Sequence, residues 1–350
     1  MQPAGVINET YAQDMAIIVS KSQWGLFALL LLVLIALPFF VNPHILSLLN
    51  VISITLIAVH GVNILLGFTG EITVAQAAFL GVGAYSFAIL TETGMPWVLS
   101  MICATLVTGA CGVIFGLPAL RVKGFYLLMV TLGAQFIIPW VFTHWKTMTG
   151  GLIWGKAVPG ISIAGILLDS DFKKYFLFVG VSVLMTIIVT NIARSKLGRV
   201  LTAIRDNDLA AEAMGIHVFG YKLIAFFICS VYAGIAGCMW AVYAEHLFPD
   251  HFYLMDSVWY IAMLIVGGMG SITGAIFGTI FLVTLSELTV VYGPSFANFL
   301  PFEFAKAAGG SLGLLAFAIV IVLFLIYEPR GISHRWDQIR RYYQFYPFKR

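Results

Sequence analysis

The chain is a succession of long apolar runs almost free of charge, and this pattern leaves few folds open to it. Charged residues are 10% of the 350 positions and apolar ones 61%, against roughly 25% and 45–50% in soluble domains. A soluble fold of this length would lack the charge to keep its surface hydrated. In a bilayer every backbone polar group must find a partner within the protein, so such runs fold as helices. Crossing the hydrocarbon core takes about 20 apolar residues. Runs of that order lie near 24–41, 45–67, 72–91, 96–118, 124–144, 174–193, 220–243, 256–270, 271–292 and 311–328. The expectation is an all-α, polytopic membrane helical bundle of about ten spans. Segments 72–91 and 256–270 abut glycine turns, the mark of broken or re-entrant helices. About twenty mixed polar residues, including Glu9, Asp14 and Lys21, precede the first run without a cleavage pattern, so that run is expected to be retained.

Lysine and arginine set the orientation of such a bundle. With the N-terminus cytoplasmic, the inner stretches hold Lys21, Arg121, Lys123, Arg194, Lys196, Arg199, Arg205, Lys222 and six tail residues, fourteen in all. The outer stretches keep Lys146, Lys156, Lys173, Lys174 and Lys306, which is five. This asymmetry and an even span count place both termini inside. The expected organisation is a cytoplasmic segment 1–23, a spanning domain 24–328 with a cytoplasmic stretch at 194–222, and a cytoplasmic tail 329–350. In the tail, Arg330, Arg335, Arg340 and Arg341 interleave with Trp336, Tyr342 and Tyr343, as in an anchor at the lipid surface. A net charge of +3 gives nucleic acid no electrostatic footprint.

Cys103, Cys111, Cys229 and Cys238 all lie inside apolar runs and at no zinc spacing, so they read as small packing residues. Gly112-x-x-x-Gly116 and Gly274-x-x-x-Gly278 are stripes that let membrane helices touch.

Polar side chains inside such runs are costly and mark function first. The richest window runs from His60 through Asn63, Thr69, Gly70, Glu71 and Thr73 to Gln76. One reading is a broken helix whose freed backbone groups and Glu71 line a solute path. The other is a tight cytoplasmic turn with Glu71 wet at its edge and Asn63 bonded to a neighbouring helix. A second turn, Gly267-Gly268-Met269-Gly270-Ser271-Ile272-Thr273-Gly274, repeats the Gly-x-Ile-Thr of positions 70–73. The pathway candidates are Asn63, Gly70, Glu71, Thr73, Gln76 and Gly270.

In the cytoplasmic stretch, Asp206 or Asp208 can cap a short helix that Gly215 stops. Its apolar side would show Leu209, Ala213 and Ile216. A short helix of this kind, bearing one methionine, suits insertion into a groove on a soluble partner, and a plain amphipathic connector is the alternative.

Gly150-x-x-x-x-Gly155-Lys156-Ala157 imitates a phosphate loop but lacks the Ser/Thr that ligates magnesium. It also falls outside the cell in this topology, so the chain is expected to bind no nucleotide, no other cofactor and no metal. Glu245, His246, Asp250 and His251 could ligate a metal, but Pro249 breaks their spacing and a solvated loop is expected. No serine or cysteine nucleophile pairs with a histidine, and Glu92, Glu287 and Glu303 have no evident partner carboxylate. No catalytic residue is expected.

The stretch Gly61-Val62-Asn63-Ile64-Leu65-Leu66-Gly67-Phe68-Thr69-Gly70-Glu71-Ile72-Thr73-Val74-Ala75-Gln76-Ala77-Ala78-Phe79-Leu80-Gly81-Val82-Gly83-Ala84-Tyr85 resembles the permeases of branched-chain amino acid ABC importers, of the LivM type. Leu120-Arg121-Val122-Lys123-Gly124-Phe125-Tyr126, Thr149-Gly150-Gly151, 205–216, 267–274 and Glu328-Pro329-Arg330-Gly331 add to the resemblance, which covers about 24–332. It implies a type II importer fold in the bacterial inner membrane. It also implies a second permease as heterodimer partner, two cytoplasmic ATP-binding subunits that hold the ATP, an external solute-binding protein and surrounding lipid. The family's coupling helix, which docks on the ATPase, matches Arg205, Asp206, Asp208, Ala210, Ala211, Glu212, Met214 and Gly215, with Leu209 where glutamate is usual. His60 stands where the family has a small or apolar residue, and Thr73-Val74-Ala75 replaces Ser-Leu-Gly. These departures leave the solute open between branched-chain amino acids and urea, short amides or aromatic acids. Two rivals are an ion-coupled secondary transporter, which needs a buried carboxylate relay, and a membrane enzyme, which needs a clustered His/Asp/Glu site.

Overall fold

The computed structural model describes residues 21–121, 124–163, 166–167, 170–299, 318–319, 321–322, 324, 326–327 and 331–345. The chain is built of helices. α1 is Lys21–Phe40. α2, Pro43–Val62, starts on a proline that needs no backbone partner and runs on through a π-helical turn, Asn63–Phe68. α3 is Gln76–Glu92, α4 Trp97–Ala119, α5 Phe125–His144, α6 Asp171–Arg194, α7 Lys196–Asp206 and α8 Asp208–Ala213. α9 is Val218–Ala244, α10 Leu254–Gly267, α11 Ile272–Phe299 and α12 Ile332–Phe345.

Among the described residues six helices are long and apolar enough to cross a membrane: Pro43–Phe68, Trp97–Ala119, Tyr126–His144, Asp171–Arg194, Val218–Ala244 and Ile272–Val291. The expected spans 72–91 and 256–270 are shorter as helices, with 17 residues in α3 and 14 in α10. In both cases a glycine turn takes residues that hydropathy alone assigns to the helix. α1 carries a short apolar part, Leu31–Phe40. The run at 311–328 lies mostly outside the described residues. Four two-residue strands add to the all-helical reading: β1 Lys156–Ala157, β2 Ser162–Ile163, β3 Ile166–Leu167 and β4 His246–Leu247. β1 pairs antiparallel with β4, and β2 with β3.

α9 is the central post, packed against α2, α3 and α4. Lipid tails are as apolar as leucine, so close backbone approach rather than the hydrophobic effect holds such helices together. A β-carbon at Gly83 would lie 2.5 Å from Gly234 O, so α3 and α9 touch backbone to backbone. Both sequence stripes sit at crossings, Gly112 and Gly116 against Ser230 and Phe226 of α9, and Gly274 and Gly278 against Gly267 of α10. Phe79, Phe87, Phe226 and Tyr232 fill the interior between them.

The bundle has two chemically distinct ends. At one, α7 and α8 lie beside the turn after α2, and α12 lies against the turn after α10. There Gly331 rests on Gly268, and the Trp336 ring lies tilted against Phe277 with centroids 5.6 Å apart. At the other are the β1–β4 pair, the start of α2 and the start of α10.

Candidate functional site

Two helix breaks meet at the first end. The π-turn of α2 runs into Gly70 (φ 75°), and residues 70–75 are not helical before α3 begins. α10 stops at Gly267, and Gly268 (φ 116°) and Gly270 (φ 78°) turn the chain into α11. Positive φ is open to glycine at little cost, so both turns need it there. The repeated Gly-x-Ile-Thr shares its glycine's positive φ but not its course, since Ile72 and Thr73 are not helical whereas Ile272 and Thr273 begin α11. Asn63 ties the turns together: its Oδ1 accepts from Gly270 N at 3.0 Å and its Nδ2 donates to Ser271 O at 3.2 Å. Asn63 is completely buried. Gly67 leaves it room, since a β-carbon there would run into Asn63 Oδ1 and lie 2.7 Å from Gly270 N. From α7, Arg205 Nη1 donates to Gly67 O at 2.6 Å.

Glu71 forms an ion pair with Lys222 at the start of α9, and both side chains are largely shielded. Thus the 194–222 segment holds this break at two points, Lys222 on Glu71 and Arg205 on Gly67 O just before the non-helical stretch. Thr73 and Gln76 lie deeper. Thr73 Oγ1 accepts from Ala75 N at 3.3 Å. Gln76 donates to Ala58 O of α2 at 3.0 Å and accepts from the Cys229 thiol of α9 at 3.2 Å. The structure therefore brings Gly70 and Gly270 against Arg205, with Asn63 bonded to Gly270 and Glu71 paired with Lys222, and places Thr73 in a local turn and Gln76 in helix packing. His60, also buried, sits 3.0 Å from Thr186 Oγ1 of α6.

The first N–H groups of a helix need acceptors, and Ala75 at the start of α3 has no side chain to supply one. Distant residues do so. Ala77 N donates to Ser257 Oγ (2.8 Å) and Ala78 N to Gln135 Oε1 (3.1 Å), while Gln135 donates to Phe252 O at 2.8 Å. Sequence reading missed Ser257, Gln135 and Lys222, because separations of 180, 57 and 151 residues leave no local signal.

In the 194–222 segment Leu201 and Ile204 anchor α7 in the bundle. α8 is capped by Asn207, whose Oδ1 accepts from Ala210 N at 3.0 Å. This corrects the expected caps. Asp206 is still the last residue of α7, and Asp208 is already in the first turn of α8. Gly215 (φ 86°) closes the helix, with Gly215 N bonded to Glu212 O and Ile216 N to Ala211 O, the paired bonds of a left-handed cap. Of the expected apolar side, Leu209 and Ala213 are exposed and Ile216 is half-buried. Ala211 faces inward, Ala210, Glu212 and Ala213 are exposed, and Leu209 and Met214 stand bare at 68% and 85% exposure.

At the opposite end lies a cavity of about 320 Å³ between α2, α9, α10 and α11. Its wall includes His44, Trp240, Asp256, Trp259, Tyr260 and Glu287. His44 Nε2 is 3.2 Å from Glu287 Oε1, and Ser47 and Tyr243 share a 2.8 Å hydrogen bond on the same wall. The indole N–H of Trp240 is buried without an acceptor among the described residues.

The other sequence candidates are engaged elsewhere. Lys156 of the phosphate-loop imitation pairs with Glu92 and enters strand β1, where a phosphate loop would enter a helix. Glu245 meets Lys174 at 2.6 Å, and that hydrogen bond and charge hold its carboxyl below the usual range. Asp250 accepts from the Tyr253 hydroxyl at 2.7 Å.

Known proteins share this pattern. The family described as branched-chain amino acid transport system, permease component, matches residues 44–327. The high-affinity branched-chain amino acid transport system permease protein LivM of Salmonella typhimurium is 27% identical over 338 residues, covering 89% of this chain and 76% of that protein. LivM of Escherichia coli K12 matches at the same identity and coverage. A LivM permease protein of Methanocaldococcus jannaschii is 25% identical over 67% of each chain. Among solved structures, PsaBC from Streptococcus pneumoniae in complex with Fab gives a TM-score of 0.42 at 15% identity over 86% of this chain and 96% of that one, too slight a likeness to carry an inference. The match from the start of α2 to beyond α11 places the chain in the branched-chain amino acid transport permease family, among proteins of the LivM type.

Proposed function

We propose that the chain is one of two permease halves of an ATP-driven importer of the type II class in a bacterial inner membrane, with about ten spans and both termini cytoplasmic. Two separate cytoplasmic subunits bind and hydrolyse ATP, a second permease completes the solute path, and an external binding protein delivers the solute. Branched-chain amino acids are the solute class that the family match favours. Urea, short amides and aromatic acids are the alternatives.

The single observation that carries this reading, beyond family membership, is the bare apolar pair Leu209 and Met214 on a polar segment. Two large apolar side chains at such exposure fit a groove on a soluble partner, and α8 is held rigid at both ends to present them. ATP binding would move that partner, and the bundle would exchange inward and outward openings by a rigid rearrangement. Of the pathway candidates, Gly70, Glu71 and Gly270 flank the inner mouth of the path. Asn63 and Gln76 shape it by bonding to neighbouring elements, and Thr73 by a local bond to Ala75 N.

The opposite cavity suits the outer part of the path. At about 320 Å³ it is at the small end of ligand pockets, which run roughly 300–1,000 Å³. Carboxylates of Asp256 and Glu287 with aromatic rings around them match an ammonium group beside an apolar side chain. Replacing Asp256 with Asn should lower the maximal uptake rate on the order of tenfold, the worth of one charged hydrogen bond, with solute affinity of the binding protein unchanged.

The docking claim is tested separately. Met214→Glu or Gly215→Glu should abolish uptake and co-purification of the ATP-binding subunits while the external protein still docks. Normal uptake in those variants would sink the assignment. The two carboxylates in one cavity also keep the ion-coupled rival in view. Transport by the purified chain alone under a proton or sodium gradient would favour it.

A further inference from the structure

We infer that Arg205 is the positioning residue that carries movement of the docking segment into both helix breaks at once. The inference rests on the reading of α8 as the docking helix, and adds how its displacement reaches the solute path.

The placement is specific. Arg205 precedes Asp206 and the cap residue Asn207, so only two residues separate it from the start of α8. Its guanidinium crosses to the other side of the junction and donates to Gly67 O at 2.6 Å. That carbonyl lies past the helix ladder of α2, since Gly70 N is bonded to Leu66 O and Glu71 N to Leu65 O. Arg205 thus completes the end of α2, a place where a helix leaves carbonyls without donors. The two turn glycines wall the arginine in. A β-carbon at Gly270 would lie 2.7 Å from Arg205 Nη1 and 3.1 Å from Gly67 O, and one at Gly70 would lie 3.3 Å from Arg205 Cγ. The glycine of each Gly-x-Ile-Thr turn is therefore the surface against which this one side chain rests.

Two connections of different character join the breaks. Asn63, fully buried, grips Gly270 and Ser271 and keeps the turns in register. Arg205 remains open to water along part of its length, so its bond can be made and broken as the segment shifts. α7 itself is anchored one and four residues earlier by Ile204 and Leu201, which makes Arg205 the point where an anchored helix meets the presented one. A pull on α8 would withdraw the guanidinium from Gly67 O and from between the glycines, removing one contact from each turn at the same time. Lys222 holds Glu71 independently from α9, so the segment has a fixed attachment and a releasable one.

The test uses the full transporter, with both permeases, the ATP-binding subunits and the binding protein, reconstituted in proteoliposomes. Arg205→Ala is compared with wild type at equal content of bound ATP-binding subunits, with hydrolysis read as the ratio with and without loaded binding protein. Uptake should fall by about tenfold or more, and hydrolysis should no longer rise when solute-loaded binding protein is added. That stimulation ratio, measured on assembled complexes, does not change for a residue that only aids folding. Unchanged uptake and stimulation would overturn the proposal. If Arg205→Ala fails to accumulate, Arg205→Met decides, because it keeps an apolar stem and removes the donor to Gly67 O; loss of stimulation supports the relay, and normal stimulation or loss of assembly overturns it. Met214→Glu run in parallel separates the two claims, since normal assembly and uptake there refute docking whatever Arg205 does.

Discussion

Asn63→Ala removes both hydrogen bonds that join the two helix breaks. The side chain is fully buried, and its partners are Gly270 N at 3.0 Å and Ser271 O at 3.2 Å. Interhelical hydrogen bonds in membrane proteins contribute about 0.6 kcal/mol each on average and about 1.7 at most. Two of them give roughly 1–3 kcal/mol. Gly270 and Ser271 are only half-buried, so water can take over part of their bonding and the lower half of that range is expected. Asn63→Asp is the sharper variant. It keeps the acceptor for Gly270 N but turns a carboxylate oxygen toward Ser271 O and buries a charge, so it should cost more than alanine, about 3 kcal/mol or more. The assay is the unfolding equilibrium of the purified protein in mixed micelles, paired with solute dependence of uptake by the assembled transporter. Stability should fall in the order wild type, Ala, Asp, with the half-saturating solute concentration unchanged. Wild-type stability in both variants, or Asp milder than Ala, would refute the clamp; a changed solute dependence would return Asn63 to the pathway wall.

Lys222→Met should destabilise by about 2–4 kcal/mol, because it leaves Glu71 shielded and unpaired, and the exchange Glu71→Lys with Lys222→Glu should recover most of the loss in the same assay. Gly83→Leu should prevent accumulation of folded protein, since the backbones of α3 and α9 meet there, whereas Gly133→Leu, with open space beside Gly133, should accumulate normally. Glu245→Gln should cost about 1 kcal/mol by leaving the buried Lys174 with a weaker partner, a figure kept small because Glu245 itself is exposed. Its carboxyl titrates below the usual range, so its contribution is present above the unfolded-state value and should fade as pH falls through the lower, folded one.

Much of the bundle was legible in the sequence because a lipid-crossing helix announces itself by length and hydropathy. α4, α6 and α9 fall where the apolar runs do, and Gly112 and Gly274 sit at helix crossings as their stripes suggest. The breaks were visible as glycine turns, but their lengths were not. Thr73, Val74 and Ala75 are apolar enough to pass for helix, and only the geometry after Gly70 shows them outside it. The polar window falls at a helix break, and its residues divide by depth, which no local pattern encodes. Asn63 and Gln76 bond to neighbouring helices, whereas Glu71 reaches the partly exposed end. At α8 the sequence suggested Asp206 or Asp208 as the cap, and the point where α7 ends puts Asn207, between them, in that place. The caps of α3 were out of reach altogether, because Gln135 and Ser257 arrive by tertiary packing.

The central claim is that this chain moves solute only as part of an ATP-driven assembly gripped through α8. The most direct measurement is radiolabelled leucine uptake into proteoliposomes holding this chain, its second permease and the ATP-binding subunits, with loaded binding protein outside and ATP enclosed. Uptake that requires enclosed ATP and disappears with Met214→Glu is the expected result. Equal uptake without ATP or without the ATP-binding subunits, driven by an imposed proton or sodium gradient, would contradict it.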